Sequence, residues 1–365
     1  MIEPPRVLFG RGAIRRLNAE TEGLGDRILF ICTPSLRSSA AARAVRDALG
    51  PRLVVEFDGV APHVPKEAAD AARALADEKQ VDLVVALGGG SAIGVGKAVV
   101  LSTSDSPSPS GGGQGGGIHL IAIPTTYAGS EMTPVVGITD RQTGRKQVQR
   151  DPKVLPRVVI YDPELTLGLP PELTASTGMN ALAHCVEAVY AKDANPMVQP
   201  IALEGAGRIA QFLPICVTRG DDMEGREELL RGAYQAGMSI ANASMGLHHG
   251  LCHVLGGRTG VAHGVLNAIM LPHVMRFNAD AVPDAMTEIA DAIGAGARTR
   301  DIDAAARFTA AMVTSLPVPK TLREAGIASD QLEPVATEAA ANSTVKANPK
   351  PVSEREILEL LRGAW

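Results

Sequence analysis

The apolar run Val81–Leu87 (VDLVVAL) passes straight into Gly88-Gly89-Gly90 and then into the apolar stretch Ser91–Leu101. A short β-branched run, a glycine turn and a longer apolar run read as a buried strand, a tight turn and a helix packed on that strand. Strands buried on both faces belong to parallel sheets covered by helices. Three more runs of this kind flank it: Asp26–Cys32 (DRILFIC), Arg52–Phe57 (RLVVEF) and Ile118–Ile123 (IHLIAI). Between Phe57 and Val81 lies Pro65–Gln80, with Ala68, Ala72, Leu75 and Ala76 at helical spacing. This alternation predicts a parallel sheet with helices on both faces.

After about residue 170 the pattern changes. Pro170-Pro171 punctuates the chain, and Ala/Leu/Glu-rich stretches follow at 173–191, 198–213, 224–245, 264–278 and 302–315. This half reads as helical. The 365 residues suit two domains of roughly 150 each. The expected division is an α/β nucleotide-binding domain, 1–162, and a helical catalytic domain, 163–365. Ser102–Gly117 (STSDSPSPSGGGQGGG) is low-complexity and reads as a mobile surface loop. Its glycines precede a strand, whereas a phosphate-binding loop follows one, so they receive no functional role.

Lys and Arg total 35 against 40 Asp and Glu, a formal charge of -5. Such a chain has no basic field for nucleic acid, and an anionic substrate would need local positive partners. No uninterrupted apolar stretch of about 18 residues predicts a membrane span. The start, MIEPPRVLFGRGAIRRL, lacks the apolar core of a secretory signal. Cys32, Cys185, Cys216 and Cys252 form no C-x-x-C pair and read as reduced, buried thiols of a cytoplasmic protein.

Two turns and one cluster carry chemistry. At Gly89, Gly90 and Ser91 the backbone can approach a ligand closely, and the helix N-terminus offers free N–H groups to a pyrophosphate. Pro124–Glu131 (PTTYAGSE) follows the fourth apolar run. Its Thr125, Thr126 and Ser130 hydroxyls suit a ribose, an amide or a phosphate, or a helix cap. Five of the eight histidines fall between His248 and His273. His249 and His253 lie four apart, as do Asn180 and His184 on an expected helix Thr177–Ala191. Gly256-Gly257 is expected to interrupt the second helix before His263. Together these side chains could converge on a metal ion or on a developing charge. Asn180 offers a neutral amide where a metal would gain from a carboxylate. His63, His119, His248 and His273 keep an ordinary structural reading.

The segments LGGGSAIGVGKAVVL, IAIPTTYAGSEMTPVVGITD, DPELTLGLPPELTASTGMNALAHCVEA, GLHHGLCHVLGG and AHGVLNAIMLPHVMRFN resemble, in order and spacing, the iron-containing (group III) alcohol dehydrogenase superfamily. The resemblance covers nearly the whole chain. Within the superfamily the shortened PTTYAGSE turn, Asn180 and Asn348-Pro349-Lys350-Pro351-Val352 are similar to the maleylacetate reductases.

That resemblance implies a Rossmann-like parallel-sheet domain followed by an all-α domain, the dehydroquinate synthase-like fold. It implies NAD(P)H-dependent reduction of the C=C bond of maleylacetate to 3-oxoadipate in aromatic compound catabolism. The superfamily's metal positions fall on Asn180, His184, His249 and His263, and loss of the acidic ligand implies a reaction without metal. His253 is the expected general acid. His184, His249, His263 and Asn180 would hold the enolate oxygen or a substrate carboxylate, and Tyr127 would face the nicotinamide or the substrate, or pack. Gly89, Gly90, Ser91, Thr125, Thr126, Ser130 and Lys146 are the expected cofactor contacts. Thr33 stands where relatives carry the aspartate that excludes a 2′-phosphate, so NADH is expected with NADPH tolerated. Arg258 and Lys346 are candidate carboxylate partners or surface charges. The resemblance also implies a homodimer, and an exposed first strand edge near Val7–Phe9 could supply its contact. The competing readings are a metal-dependent alcohol or lactaldehyde dehydrogenase, a non-catalytic nucleotide binder, and a dehydroquinate synthase- or glycerol dehydrogenase-like enzyme.

Overall fold

The computed structural model describes residues 4–102, 117–140, 145–296 and 301–365. Residues 103–116 of the low-complexity stretch lie outside them. The chain forms two compact units, Met1–Leu167 and Gly168–Trp365.

In the first unit, strands β1 (Arg6–Phe9), β2 (Ile28–Cys32), β3 (Leu53–Phe57), β4 (Leu83–Gly88), β5 (His119–Pro124) and β8 (Val158–Tyr161) make one sheet in the order β1-β8-β5-β4-β2-β3. Every pairing is parallel. β2 and β4 are buried along their whole length, as their unbroken apolar sequences require. The register pairs Cys32 with Leu87 and Gly88 with Pro124, which levels the carboxyl ends of β2, β4 and β5. Helices α1 (Leu17–Glu20), α2 (Ala40–Leu49), α3 (Lys66–Glu78) and α4 (Gly90–Ser102) complete the unit. Ser39 starts α2 by accepting from Ala42 N at 3.1 Å. An antiparallel hairpin of β6 (Val135–Asp140) and β7 (Arg145–Arg150) forms a second, two-stranded sheet.

The second unit contains α5 (Pro171–Tyr190), α6 (Gln199–Thr218), α7 (Met223–Ala241), α8 (Leu247–Thr259), α9 (His263–Asn278), α10 (Pro283–Ala292), α11 (Ala304–Ser315), α12 (Leu332–Ala341), α13 (Ser343–Lys346) and α14 (Glu354–Ala364). Leu247, Leu251 and Leu255 of α8 pack with Leu266 and Met270 of α9 and Leu361 of α14 in an aliphatic core.

Two boundaries differ from expectation. α5 begins at Pro171 rather than Thr177, because proline at the first helical position gives up an N–H that has no helical partner anyway. Gly256-Gly257 does not interrupt α8, which runs through to Thr259. Its stop is Gly260, in the left-handed region at φ 71°, whose N–H bonds back to Gly256 O at 3.0 Å. The expected stretch 224–245 is α7 as far as Ala241, followed by a separate approach to α8.

Candidate active site

The glycine turn and the polar turn meet in the first unit. Gly88 sits at φ 148°, and a Cβ there would overlap Thr33 Oγ1 and lie 2.9 Å from Ala92 Cβ. A Cβ on Gly89 would lie 3.0 Å from Thr126 Cγ2, and one on Gly90 would lie 3.6 Å from Ser130 Oγ. Thr125 N donates to Gly88 O at 3.0 Å, and Thr33 N to Leu87 O at 3.1 Å. Thr33, Gly89, Gly90, Thr125, Thr126 and Ser130 are therefore brought together at the carboxyl ends of β2, β4 and β5. In open α/β sheets ligands bind beyond those ends, and α4 directs its N-terminus, with Ser91 in its first turn, toward the same edge. The Ser130 hydroxyl oxygen is itself buried without a hydrogen-bond partner.

Tyr127, within the polar turn, is fully buried. Lys146 lies on β7 opposite Thr139, and its side chain falls outside what is described.

In the second unit the histidines gather from three helices. His184 comes from α5, His249 and His253 from α8, and His263 from the first position of α9. The His184 and His249 rings stack with centroids 4.6 Å apart and planes 15° apart. His253 stacks on His263 at 5.2 Å, and His249 lies 5.7 Å from His263 and 6.2 Å from His253. His184 and His249 are buried, while His253 and His263 are half-buried. Asn180 Oδ1 accepts from Asn267 Nδ2 at 3.0 Å, and Asn267 Nδ2 also bonds His263 O at 2.7 Å.

Glu187 organises this cluster, and the sequence reading passed over it. It lies one turn beyond His184, so Asn180, His184 and Glu187 share a helix face at i, i+4 and i+7, a spacing that was available in the sequence. Fully buried, it accepts from Gly246 N (3.1 Å), His248 N (3.1 Å) and His249 N (3.3 Å), and its Oε2 takes His249 Nδ1 at 2.5 Å. Asn348 Oδ1 accepts the intervening Leu247 N at 3.2 Å. The free N–H groups that open α8 are thus satisfied by side chains from α5 and the tail. Burial alone would raise the Glu187 carboxyl, but the His249 bond and the neighbouring imidazoles outweigh it and hold the group below the ordinary carboxylate range.

These bonds set the tautomers. His249 donates through Nδ1, so its Nε2 carries the lone pair, and that atom is buried without a partner. His248 bonds Asn267 O through Nε2 at 3.1 Å, and burial followed by the His249 charge pushes it down to about 4. Burial, then the charges of His249, His248 and His253, keeps His184 well below its ordinary value. Burial thus favours the neutral form of His184 and His248.

A tight metal centre does not fit this donor set. An imidazole lone pair lies in its ring plane, and two rings stacked nearly parallel cannot both aim one at the same ion. Asn180 adds no charge. Glu187, His248 and His249 each bring a ligand atom within 4.8 Å of the others. Both Glu187 oxygens already accept N–H bonds, however, and His249 Nδ1 is committed to Glu187 as a donor.

Other expected residues stand apart. Arg258 lies on the last turn of α8 and pairs with Glu338 at 2.9 Å on the exposed surface. Lys346 ends the short α13, where its carbonyl accepts from Lys192. All four cysteines are buried, and burial raises each thiol.

Comparison with known proteins agrees with this geometry. Residues 4–163 match the family described as iron-containing alcohol dehydrogenase, and residues 174–365 match its C-terminal part. The chain is 41 % identical to maleylacetate reductase of Burkholderia cepacia, covering 99 % of this chain and 96 % of that protein. It is 40 % identical to maleylacetate reductase 2 of Cupriavidus pinatubonensis, covering 99 % and 95 %. The crystal structure of maleylacetate reductase from Rhizobium sp. strain MTP-10005 superimposes with a TM-score of 0.86 at 36 % identity, over 100 % of this chain and 97 % of that one. Matched in both halves and at this identity over its full length, the chain belongs to the iron-containing alcohol dehydrogenase family, among its maleylacetate reductases.

Proposed function

We propose that this protein is a maleylacetate reductase, taking hydride from NADH, tolerating NADPH, and working without a metal ion. The observation that carries the reading is Asn180, its oxygen held by Asn267 beside the stacked His184 and His249 rings, in a chain whose full-length relatives are maleylacetate reductases.

Maleylacetate is a conjugated enone with two carboxylates. A bound reduced nicotinamide would supply hydride to the alkene carbon β to the ketone; the C=C pair then forms the enolate double bond to the carbonyl carbon, and the C=O pair moves to the ketone oxygen. A proton then reaches the adjacent carbon, giving 3-oxoadipate and NAD(P)⁺. His253 is the proposed acid: it is half-buried and so able to regain a proton from solvent, whereas His184 and His248 are held neutral. His184, His249, His263 and Asn180 would supply polar contacts to the enolate oxygen or a carboxylate.

Thr33, which brings no carboxylate, supports tolerance of a 2′-phosphate. β1 ends the sheet order and leaves one edge outside the ladder, which supports a strand-to-strand homodimer. No helix among the described residues is long and apolar enough to cross a membrane, and we place the protein in the cytoplasm.

The test is NADH oxidation with freshly prepared maleylacetate, with and without EDTA. Turnover unaffected by chelation is expected. Turnover lost to EDTA and restored by Fe²⁺ or Zn²⁺ would keep the substrate and overturn the metal-free site. Activity confined to small alcohols or aldehydes would overturn both.

A further inference from the structure

Lys97 lies two turns into α4, behind the glycine turn, and is fully buried. Its Nζ donates to Ser130 O (2.6 Å), Thr133 O (2.6 Å), Thr133 Oγ1 (3.2 Å) and Val135 O (3.0 Å). All four acceptors belong to one segment, running from the end of the polar turn into β6. An ammonium has three hydrogens, and here they are shared among acceptors that span six residues. Ser130 also closes the front of this segment, with its unpartnered hydroxyl oxygen turned toward Gly90.

We infer that Lys97 is a positioning residue for the nucleotide: it ties the polar turn to the helix that opens at the glycine turn, so that the two halves of the cofactor cradle keep a fixed separation. The inference rests on reading those two turns as the nucleotide site. Without the amine, three backbone carbonyls lose a buried donor, and Ser130–Val135 loses these hydrogen bonds to α4. Burial is costly for an amine and draws Lys97 down to about 7, against the opposing charge of Glu131. A buried amine kept at that cost marks a position where its donors are needed. Glu131 stands in the same interior, its Oε1 taking the Tyr161 hydroxyl at 2.8 Å, and is itself raised by burial.

The experiment compares wild type with Lys97→Met, which keeps the chain length and removes the donors, and with Thr133→Val, which removes one acceptor at constant shape. Free NADH is titrated by its fluorescence, without substrate, and the KM values for NADH and maleylacetate and the thermal midpoint are measured beside it. The expected result is a NADH Kd raised about tenfold or more in Lys97→Met and several-fold in Thr133→Val, with the maleylacetate KM within about twofold of wild type. If Lys97→Met does not fold, Thr133→Val decides. A lowered thermal midpoint with NADH Kd unchanged in the folded variants would make Lys97 a stability residue only and overturn the inference. Wild type that fails to bind NADH would instead overturn the nucleotide-site reading beneath it.

Discussion

Glu187 is a buried carboxylate that accepts from three backbone N–H groups and one imidazole. Its charge is balanced by the N-terminal end of α8 and by the His249 N–H, and in return it fixes which His249 nitrogen is left bare. Glu187→Gln keeps the shape but removes the charge and frees the His249 tautomer. It is expected to lower kcat about 10²-fold and also lower the thermal midpoint, because α8 loses part of its cap. His253→Ala should separate the two effects. The residue is half-buried, so stability should stay within about 1 kcal/mol while kcat falls about 10²-fold or more. Steady-state kinetics and melting curves on both variants check this. An unchanged kcat in His253→Ala would remove it as the acid, and a Glu187→Gln variant that loses only stability would be a helix cap and nothing more. His184, His249, His253 and His263 were legible as a group from spacing. Glu187 was equally spaced but carries no signal that marks a buried acid apart from a solvated one until α8 is seen to end on it.

The strand–turn–helix unit of β4 and α4 follows from its sequence almost without tertiary help, because buried strand, glycine turn and apolar helix succeed one another. Gly88 is its narrowest point: its φ of 148° is rare for other residues, and a Cβ would overlap Thr33 Oγ1. Gly88→Ala should raise the NADH KM about tenfold or more, with a smaller change in the maleylacetate KM. Equal changes in both would show that the whole unit, rather than the turn, had been disturbed. The β6–β7 hairpin was not legible, since Arg145–Arg150 (RKQVQR) is polar except for Val148 and has no apolar alternation to mark a strand. α8 was misread at Gly256-Gly257, because glycine ends a helix only where the backbone turns left-handed, and that happens at Gly260.

Over the whole molecule, the buried neutral histidines make stability depend on pH. His248 titrates near 4 in the folded chain against about 6.5 unfolded, so between those values the unfolded state binds more protons and stability rises with pH. Glu187 acts in the same direction: its lowered folded value gives stability that is lost as pH falls through it. Acidification from pH 7 toward 4 should therefore remove about 3 kcal/mol through His248 alone, with His184 adding to it. Urea unfolding midpoints measured across that range should fall steadily, and a flat or rising midpoint would contradict the assigned neutral forms. The alternation of apolar runs and glycine turns determined the parallel sheet, and the Ala/Leu-rich stretches determined the helical half, because both are local patterns of burial. Histidine spacing determined that a polar cluster would form. Which groups of that cluster are neutral, which nitrogen is bare and whether the donors suit a metal were decided only by the tertiary structure. Those properties depend on the approach of α5, α8 and the Asn348 tail, residues far apart in sequence whose burial and hydrogen bonds exist only once the helices have packed.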